Sequence, residues 1–288
     1  MADEGGIGLI AGSGMDVDEL ISEIRRAREM SDGIIGVNIM VAVRNFKDLL
    51  SASVKERIDL IVAGAGFSRD MFSICRKHGV EIVPIVSSAK LAKISEKLGA
   101  SAIVVEGKEA GGHLGTDVPV NTLLSEIKDK VQLPIIAAGG IVTGSDIVRM
   151  INRGASGVQM GSRFVASEEC AADDNFKNLY INSDPLSSVL VDSPVGLTGR
   201  ALKNEFLDRL NEGSVTTGET CDYLCLKKCS RSFCVMEALV KAEEGNMREG
   251  LVFAGERAYL IDEIMSVRDI FNELAEEVRA FLSAHTAD

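Results

Sequence analysis

Short apolar runs alternate with amphipathic stretches over the first 165 residues of the chain. The apolar runs predict seven strands, at 7–12, 34–40, 60–66, 81–87, 102–107, 134–140 and 157–161. The stretches between them predict helices at 17–28, 70–78, 89–98, 120–131 and 145–153. Continuous apolar strands that are each followed by a helix predict a parallel sheet that is covered on its outside.

Two glycine-rich strand ends help to decide between a barrel and an open, doubly wound sheet. Gly139 and Gly140 follow the sixth predicted strand, and Gly161 and Ser162 follow the seventh. In (β/α)8 barrels the loops after strands 7 and 8 form a phosphate site. Counting backwards from that site leaves strand 1 upstream of Met1. We therefore predict an α/β fold, a TIM (β/α)8 barrel that lacks its first βα unit, with a small helical cap after the last strand.

The pattern changes after residue 165. Residues 173–200 contain two prolines and several Gly and Ser residues, which predicts a long loop over the barrel mouth, whereas residues 201–250 have a helical pattern. A final amphipathic helix starts at a capping pair, Ser266 and Asp269. The predicted domains are a barrel of residues 1–183 completed by a helix at 262–288, and a loop and cysteine-containing helical cap of residues 184–261 over the site.

The composition narrows the classes of function. The 288 residues carry a formal net charge of −12 without clustered Lys and Arg, which argues against a nucleic-acid partner. No apolar run is long enough to cross a bilayer, and the first residues do not resemble a secretory signal. We expect a cytoplasmic protein with mostly reduced cysteines and a small-molecule substrate. Assembly into a homo-oligomer is left open.

The two glycine turns are candidates for binding a phosphate. Small residues let backbone N–H groups approach an anion closely, and the Ser162 hydroxyl adds a donor. The alternative is that the glycines only allow the backbone to make tight turns between strands and helices. Two such turns next to each other in a barrel pattern favour the phosphate site.

His113 is the candidate for proton transfer. It lies in the segment EGKEAGGHLG at 106–115, after the fifth predicted strand, on the face where barrel active sites lie. Its imidazole can exchange a proton near neutral pH, although a hydrogen-bonded loop histidine would also fit. Lys108 is favoured as a solvated charge over a Schiff-base nucleophile, because its acidic neighbours oppose a lowered pKa. His78 precedes a glycine at the predicted end of a helix. Capping of that helix end explains the presence of this histidine.

Four closely spaced cysteines, Cys221, Cys225, Cys229 and Cys234, suggest zinc or an iron–sulfur cluster. If 221–229 were one helix, its outer thiols would be about 12 Å apart along the axis. The thiolates of one zinc ion lie within about 4 Å of each other. The segment must therefore either bend or carry reduced, partly buried thiols. We favour the thiols, and no metal site is predicted.

Four motifs resemble the nitronate monooxygenase family, formerly called 2-nitropropane dioxygenases, which includes the related FMN-dependent enoyl-acyl-carrier-protein reductases II. They are GVNIM at 36–40, EAGGH at 109–113, AAGGI at 137–141 and QMGSRF at 159–164. The resemblance covers about residues 4–206 and implies a barrel that binds FMN. The segment GLTGRALKN at 196–204 resembles the family's loop that folds over the site.

The resemblance also implies roles for individual residues. His113 matches the family's catalytic histidine, the proposed base or proton donor at the flavin face. The residues that would line the flavin or hold its ribityl phosphate are Asn38, Glu106, Gly111, Gly112, Gly139, Gly140, Gln159, Met160, Gly161 and Ser162. Glu106 stands where many nitronate monooxygenases have Gln, and in this respect it is more similar to the reductases.

Four functions compete, and the last of them, a phosphosugar isomerase or aldolase, would share the phosphate loops but gives no role to the EAGGH segment. The leading one is FMN-dependent oxidation of alkyl nitronates with O2, in which the cofactor carries the electron chemistry and the protein supplies orientation and a proton route. The second is NAD(P)H-dependent reduction of an enoyl thioester. The third is a truncated, non-catalytic barrel, because nothing in the chain matches the family's first strand and its Gly-Met type loop.

Overall fold

The computed structural model describes residues 1–215, 221 and 223–285 of the chain. Its strands are β1 (Gly8–Ala11), β2 (Ile35–Met40), β3 (Leu60–Gly64), β4 (Glu81–Val86), β5 (Ile103–Glu106), β6 (Gly112–His113), β7 (Ile135–Ala138), β8 (Gly157–Gln159), β9 (Ser188–Asp192) and β10 (Thr198–Leu202). Its helices are α1 (Val17–Met30), α2 (Phe46–Lys55), α3 (Asp70–His78), α4 (Ala89–Leu98), α5 (Val120–Ile127), α6 (Gly144–Asn152), α7 (Ser162–Val165), α8 (Asp174–Ile181), α9 (Glu205–Asn211), α10 (Val235–Glu243) and α11 (Val267–His285). Residues 286–288 of the predicted last helix lie outside the described residues.

Seven parallel strands form one curled sheet in the order β1, β2, β3, β4, β5, β7, β8. A doubly wound sheet would reverse this order at a switch point, so the unbroken order of the strands along the chain decides for the barrel-like arrangement. β1 and β8 are the two edges of the sheet, and no ladder joins them in the described part of the chain. The α/β class and the parallel sheet are therefore confirmed, and the sheet is a half-barrel.

Local signals in the sequence set the ends of the helices. The Ser88 hydroxyl accepts a hydrogen bond from the Leu91 N–H at the start of α4. Helices α3 and α4 end at Gly79 and Gly99, which have the left-handed φ values of 68° and 89° that glycine adopts without a steric cost. Both helices have the bounds that their sequences predict, and the capping interpretation of His78 agrees with this geometry.

The strands that lead to the glycine turns are shorter than predicted. The predicted strand 134–140 ends at Ala138, because Gly139 and Gly140 have φ values of 110° and 67° that a strand does not use. The predicted strand 157–161 likewise ends at Gln159. The predicted helix 120–131 ends at Ile127.

The segment 173–200 was predicted to be an irregular loop, and this prediction was wrong. It contains α8 and β9, and it leads into β10, which pairs antiparallel with β9 and with β6. The prediction that residues 201–250 are helical holds only for α9 and α10. Between them, the described residues that carry the cysteines form turns and bends.

The last helix packs on the outside of the sheet against α6. It starts at Val267, directly after the predicted capping residue Ser266, whose hydroxyl donates a hydrogen bond of 2.6 Å to Asp269. Residues 262–266 of the predicted helix 262–288 are not helical. The two helix backbones are so close that a Cβ atom on Gly144 would lie 2.6 Å from the carbonyl oxygen of Leu274. Among the described residues, no helix combines the length and the apolar character needed to cross a bilayer.

We predict that Leu274→Ala lowers the free energy of unfolding by about 2–5 kcal/mol, because it removes buried methyl groups from this contact. The side chain of Leu274 is 7% exposed, whereas Leu282 on the same helix is 47% exposed. Urea denaturation of both alanine variants measures the difference. A similar, small loss in both would show that α11 does not pack on α6 in solution.

Candidate active site

A cavity of about 270 Å³ lies at the carboxyl ends of β5, β7 and β8. Five parts of the chain form it: the loop after β5, the two glycine turns, α8, and the segment 253–258. The residues of the predicted site that line this cavity are Glu106, Gly111, Gly112, Gly139, Gly140, Gln159, Met160, Gly161 and Ser162. Nine of the ten predicted cofactor residues are therefore brought to one place.

The pairing of β7 with β8 brings the two glycine turns together. Ala138 lies opposite Gln159 in the ladder, so the turns that follow start side by side at the same end of the sheet. The amides of Gly140 and Gly161 donate no backbone hydrogen bond within the described residues. Both turns therefore offer N–H groups to a ligand in the cavity.

Gly161 leaves room for such a ligand. A Cβ atom built on this residue meets no other atom within 4 Å, so a side chain would project into open space. Its φ of −111° is one that any residue adopts. The glycine is thus not required by the backbone conformation, and the space that it leaves suits an anion held by main-chain donors.

Arg257 fixes the first glycine turn from the far end of the sequence. Its guanidinium donates a hydrogen bond of 2.9 Å to the carbonyl of Gly140 and forms an ion pair with Asp146. Asp146 is buried, accepts hydrogen bonds from the amides of Val142 and Thr143, and forms a capping box with Thr143 at the start of α6. A rigid hydrogen-bonded network therefore supports the turn.

His113 lies on β6, beside the loop that bounds the cavity. Its Nε2 atom is 2.7 Å from the hydroxyl oxygen of Ser193, and its ring meets that of Phe253 edge-on, with centroids 5.0 Å apart. Burial lowers the pKa of His113 to about 4. The imidazole is therefore neutral at physiological pH and can accept a proton.

Glu106 is a second partly buried titratable group, at the end of β5. Burial raises the pKa of its carboxyl to about 7. It lines the cavity directly. A carboxyl that titrates near neutrality can either donate or accept a hydrogen bond toward a ligand, which its ordinary pKa would not allow.

Two predicted residues lie outside the lining of the cavity. Asn38 is on β2, opposite Val62 of β3, away from the three strands that end at the cavity. His113 follows the lining residue Gly112 but does not itself line the cavity. Lys108 is also absent from the lining, and its backbone carbonyl accepts a hydrogen bond from Arg200.

The sequence reasoning missed the distal wall of the cavity, which consists of Tyr180, Phe253, Gly255, Arg257 and Ala258. The Tyr180 hydroxyl donates a hydrogen bond of 2.5 Å to the carbonyl of Phe253, and the amide of Gly255 donates one of 2.9 Å to the hydroxyl of Ser162. The hydroxyl of Ser162, predicted to be a donor to phosphate, thus already accepts a bond from the protein.

The fold and the cavity define an α/β protein with its ligand site at the carboxyl ends of parallel strands, as in barrel enzymes. The chain belongs to the nitronate monooxygenase family, whose family model matches residues 43–277. The resemblance seen in the four motifs is therefore confirmed, and the protein is a member of a family of oxidoreductases.

Relatives of several activities are similar to the chain. A probable nitronate monooxygenase of Staphylococcus aureus is 26% identical over 74% of this chain and 72% of its own length. A (3aS,4S,5R,7aS)-5-hydroxy-7a-methyl-1-oxo-octahydro-1H-indene-4-carboxyl-CoA dehydrogenase of Rhodococcus jostii is 26% identical over 96% of this chain and 86% of its own length.

Solved structures confirm the similarity of the fold. FabK from Thermotoga maritima superposes with a TM-score of 0.89 at 29% identity, over 99% of this chain and 89% of that one. A nitroalkane oxidase from Streptomyces ansochromogenes superposes with a TM-score of 0.81 at 20% identity, over 98% of this chain and 91% of that one.

We predict that Glu106→Gln changes the dependence of stability on pH. Because the folded pKa of Glu106 exceeds its unfolded value, its contribution to stability is complete below about pH 4.5 and is lost as the pH rises to about 7. Relative to the variant, the wild type should lose at most about 3 kcal/mol over that interval. Urea denaturation of both proteins at pH values from 4.5 to 8 measures this difference in the free energy of unfolding.

The comparison of the wild type with the Glu106 variant isolates the contribution of this one carboxyl to the pH dependence of stability. His113, with its lowered pKa, has the opposite dependence, but it contributes equally to both proteins. Glu29→Gln, at an exposed position of α1, is the matched control. If the wild type and the Glu106 variant differ by a constant amount at all pH values, the carboxyl does not titrate near neutrality.

Proposed function

We propose that the protein is an FMN-dependent oxidoreductase that oxidises alkyl nitronates with O2. One observation carries the proposal: two glycine turns, whose Gly140 and Gly161 amides donate no backbone hydrogen bond within the described residues, line a single cavity next to a neutral, partly buried histidine. Membership in the nitronate monooxygenase family supports the reaction class.

The cavity suits the phosphate and ribityl part of FMN. Its volume of about 270 Å³ is at the lower end for small-molecule sites, so we assign to it the tail of the cofactor. Gly140 and Gly161 would hold the phosphate through their amides, and Arg257 keeps the first turn in place. When bound, FMN supplies the electron transfer between substrate and oxygen.

His113 is assigned the role of general base. Burial keeps its ring neutral, and the hydroxyl of Ser193 holds Nε2 at 2.7 Å. A neutral imidazole can remove the proton from the carbon next to a nitro group when the substrate arrives as a neutral nitroalkane. A substrate that is already a nitronate has lost that proton and does not need the base.

A specific similarity favours reduction of an enoyl thioester as the second candidate. The structure of FabK covers nearly the whole chain at a TM-score of 0.89. Glu106, which lines the cavity, also resembles the reductases at this position. In this alternative NAD(P)H would supply the hydride to FMN.

We predict that Gly161→Val weakens FMN binding at least tenfold while the protein without FMN keeps its melting temperature. The side chain would fill the open space in the cavity, and the backbone conformation tolerates it. Fluorescence titration of the protein with FMN measures the affinity. Gly8→Val, on β1 away from the cavity, is the control, and equal affinity in both variants would place the cofactor elsewhere.

We predict that the wild type consumes O2 with an alkyl nitronate in the absence of nicotinamide, and that His113→Ala retains FMN. The variant should lose at least 100-fold in turnover of the neutral nitroalkane but much less with the nitronate, because only the first needs a base. An oxygen electrode measures both reactions.

Three outcomes contradict this assignment in different ways. Consumption of NAD(P)H that depends on a crotonyl-type thioester, without nitronate oxidation, would establish the second candidate. Protein that takes up no added FMN would establish the non-catalytic barrel. Equal loss with the nitroalkane and the nitronate would remove His113 from proton transfer.

A further inference from the structure

A second cavity, of about 480 Å³, lies on the segment between α9 and α10, and all four cysteines of that segment line it. They are Cys221, Cys225, Cys229 and Cys234. None of the residues that line the cofactor cavity belongs to it. The cysteines therefore form a separate cluster that the proposed oxidoreductase function does not use.

The backbone of this segment bends so that thiols far apart in sequence converge. The described residues from 223 to 234 contain no helix. Leu224 and Arg231 have left-handed φ values of 43° and 60°, which non-glycine residues rarely adopt. The axial separation that a straight helix would impose on the thiols therefore does not apply.

The four thiols line one cavity but are not bonded to each other. All four are free cysteines. Cys75 and Cys170, the other two cysteines, do not line this cavity.

Four cysteines that line one cavity match the number of protein ligands of a [4Fe–4S] cluster. In the described part of the chain, no group of three or more His, Cys, Asp or Glu side chains is arranged to hold one metal ion. In a [4Fe–4S] cluster each thiolate binds a different iron atom, so the four ligands surround a larger body. We propose that these four cysteines bind a [4Fe–4S] cluster in this cavity.

The surroundings suit the negative charge of a cluster with four thiolates. The side chains of Arg209, Arg231 and Lys241 line the same cavity, against two glutamates. Cys234 is the N-cap residue of the nine-residue helix α10, where the helix dipole stabilises a thiolate. Phe206 and Phe233 form an apolar wall, as is usual around buried clusters.

The cluster would brace the loop that holds His113. The amide of Ser230 donates a hydrogen bond of 3.0 Å to the carbonyl of Pro194, the neighbour of Ser193. On its other side, the carbonyl of Cys225 accepts a bond of 2.9 Å from the amide of Arg44. A cluster in this cavity therefore fixes a segment that touches both the loop after β2 and the Ser193 loop.

The test uses the full chain, purified without oxygen and reconstituted with ferric iron, sulfide and excess dithiothreitol, which supplies the two electrons that the [4Fe–4S]2+ state requires. We expect about four iron and four sulfide per chain, and an electron paramagnetic resonance signal after reduction with dithionite. Flavin contributes neither iron nor sulfide, so this result is independent of the proposed function. Circular dichroism verifies that each variant is folded.

Two substitutions and one control make the assignment specific. Cys225→Ser and the exposed Cys229→Ser should each lose most of the iron and change or abolish the signal, whereas Cys170→Ser should keep both. Wild-type protein that binds zinc at about one ion per chain but no iron would overturn the proposal. Iron contents that are equal in all three variants, or absent from the wild type, would overturn it as well.

Discussion

The pairing of β7 with β8 is the constraint on which the candidate site depends. Because these two parallel strands are neighbours with Ala138 opposite Gln159, the turns that follow them start at the same edge of the sheet. Neither turn alone makes an anion site. Together the two turns form one surface of main-chain donors. A protein of strongly negative net charge can therefore still offer a place for a phosphate.

The electrostatics of the site follow from burial. Glu106 and His113 are partly buried, and burial disfavours the charged form of each, so the pKa of the acid rises while that of the base falls. Both groups are therefore neutral over part of the physiological range. The same burial makes it costly to charge either group, so a ligand that brings an opposite charge would favour proton transfer to or from them.

The sequence was informative wherever a local signal decides the structure. Capping residues and terminal glycines gave α3 and α4 their bounds, and the glycine turns pointed to the cavity. Helix α2 was missed although Asn45, its N-cap residue, is of a type that favours this position. In the structure its side chain donates to the carbonyl of Met15 instead of capping the helix. Strand β6 has only two residues and exists through its pairing with β10, which no local pattern shows.

Long-range contacts also explain what was missed at the site. Arg257 is separated from Asp146 by 111 residues, and nothing near Arg257 in the sequence marks it as a support for a glycine turn. The same holds for Tyr180, whose hydroxyl binds the backbone of Phe253. These residues complete a site of which only the strand-end part can be predicted from the sequence. They are identified by the packing of segments that are distant from each other in the sequence.

The contribution of the segment 253–258 and of α11 has a consequence for biosynthesis. A ribosome releases the parallel strands first, so the glycine turns emerge long before Arg257 and before the helix that packs on α6. Until the carboxyl-terminal portion has left the exit tunnel, the nascent polypeptide has a sheet but no finished pocket. A ligand in this cavity could therefore meet all of its contacts only after residues 253–258 have been synthesised.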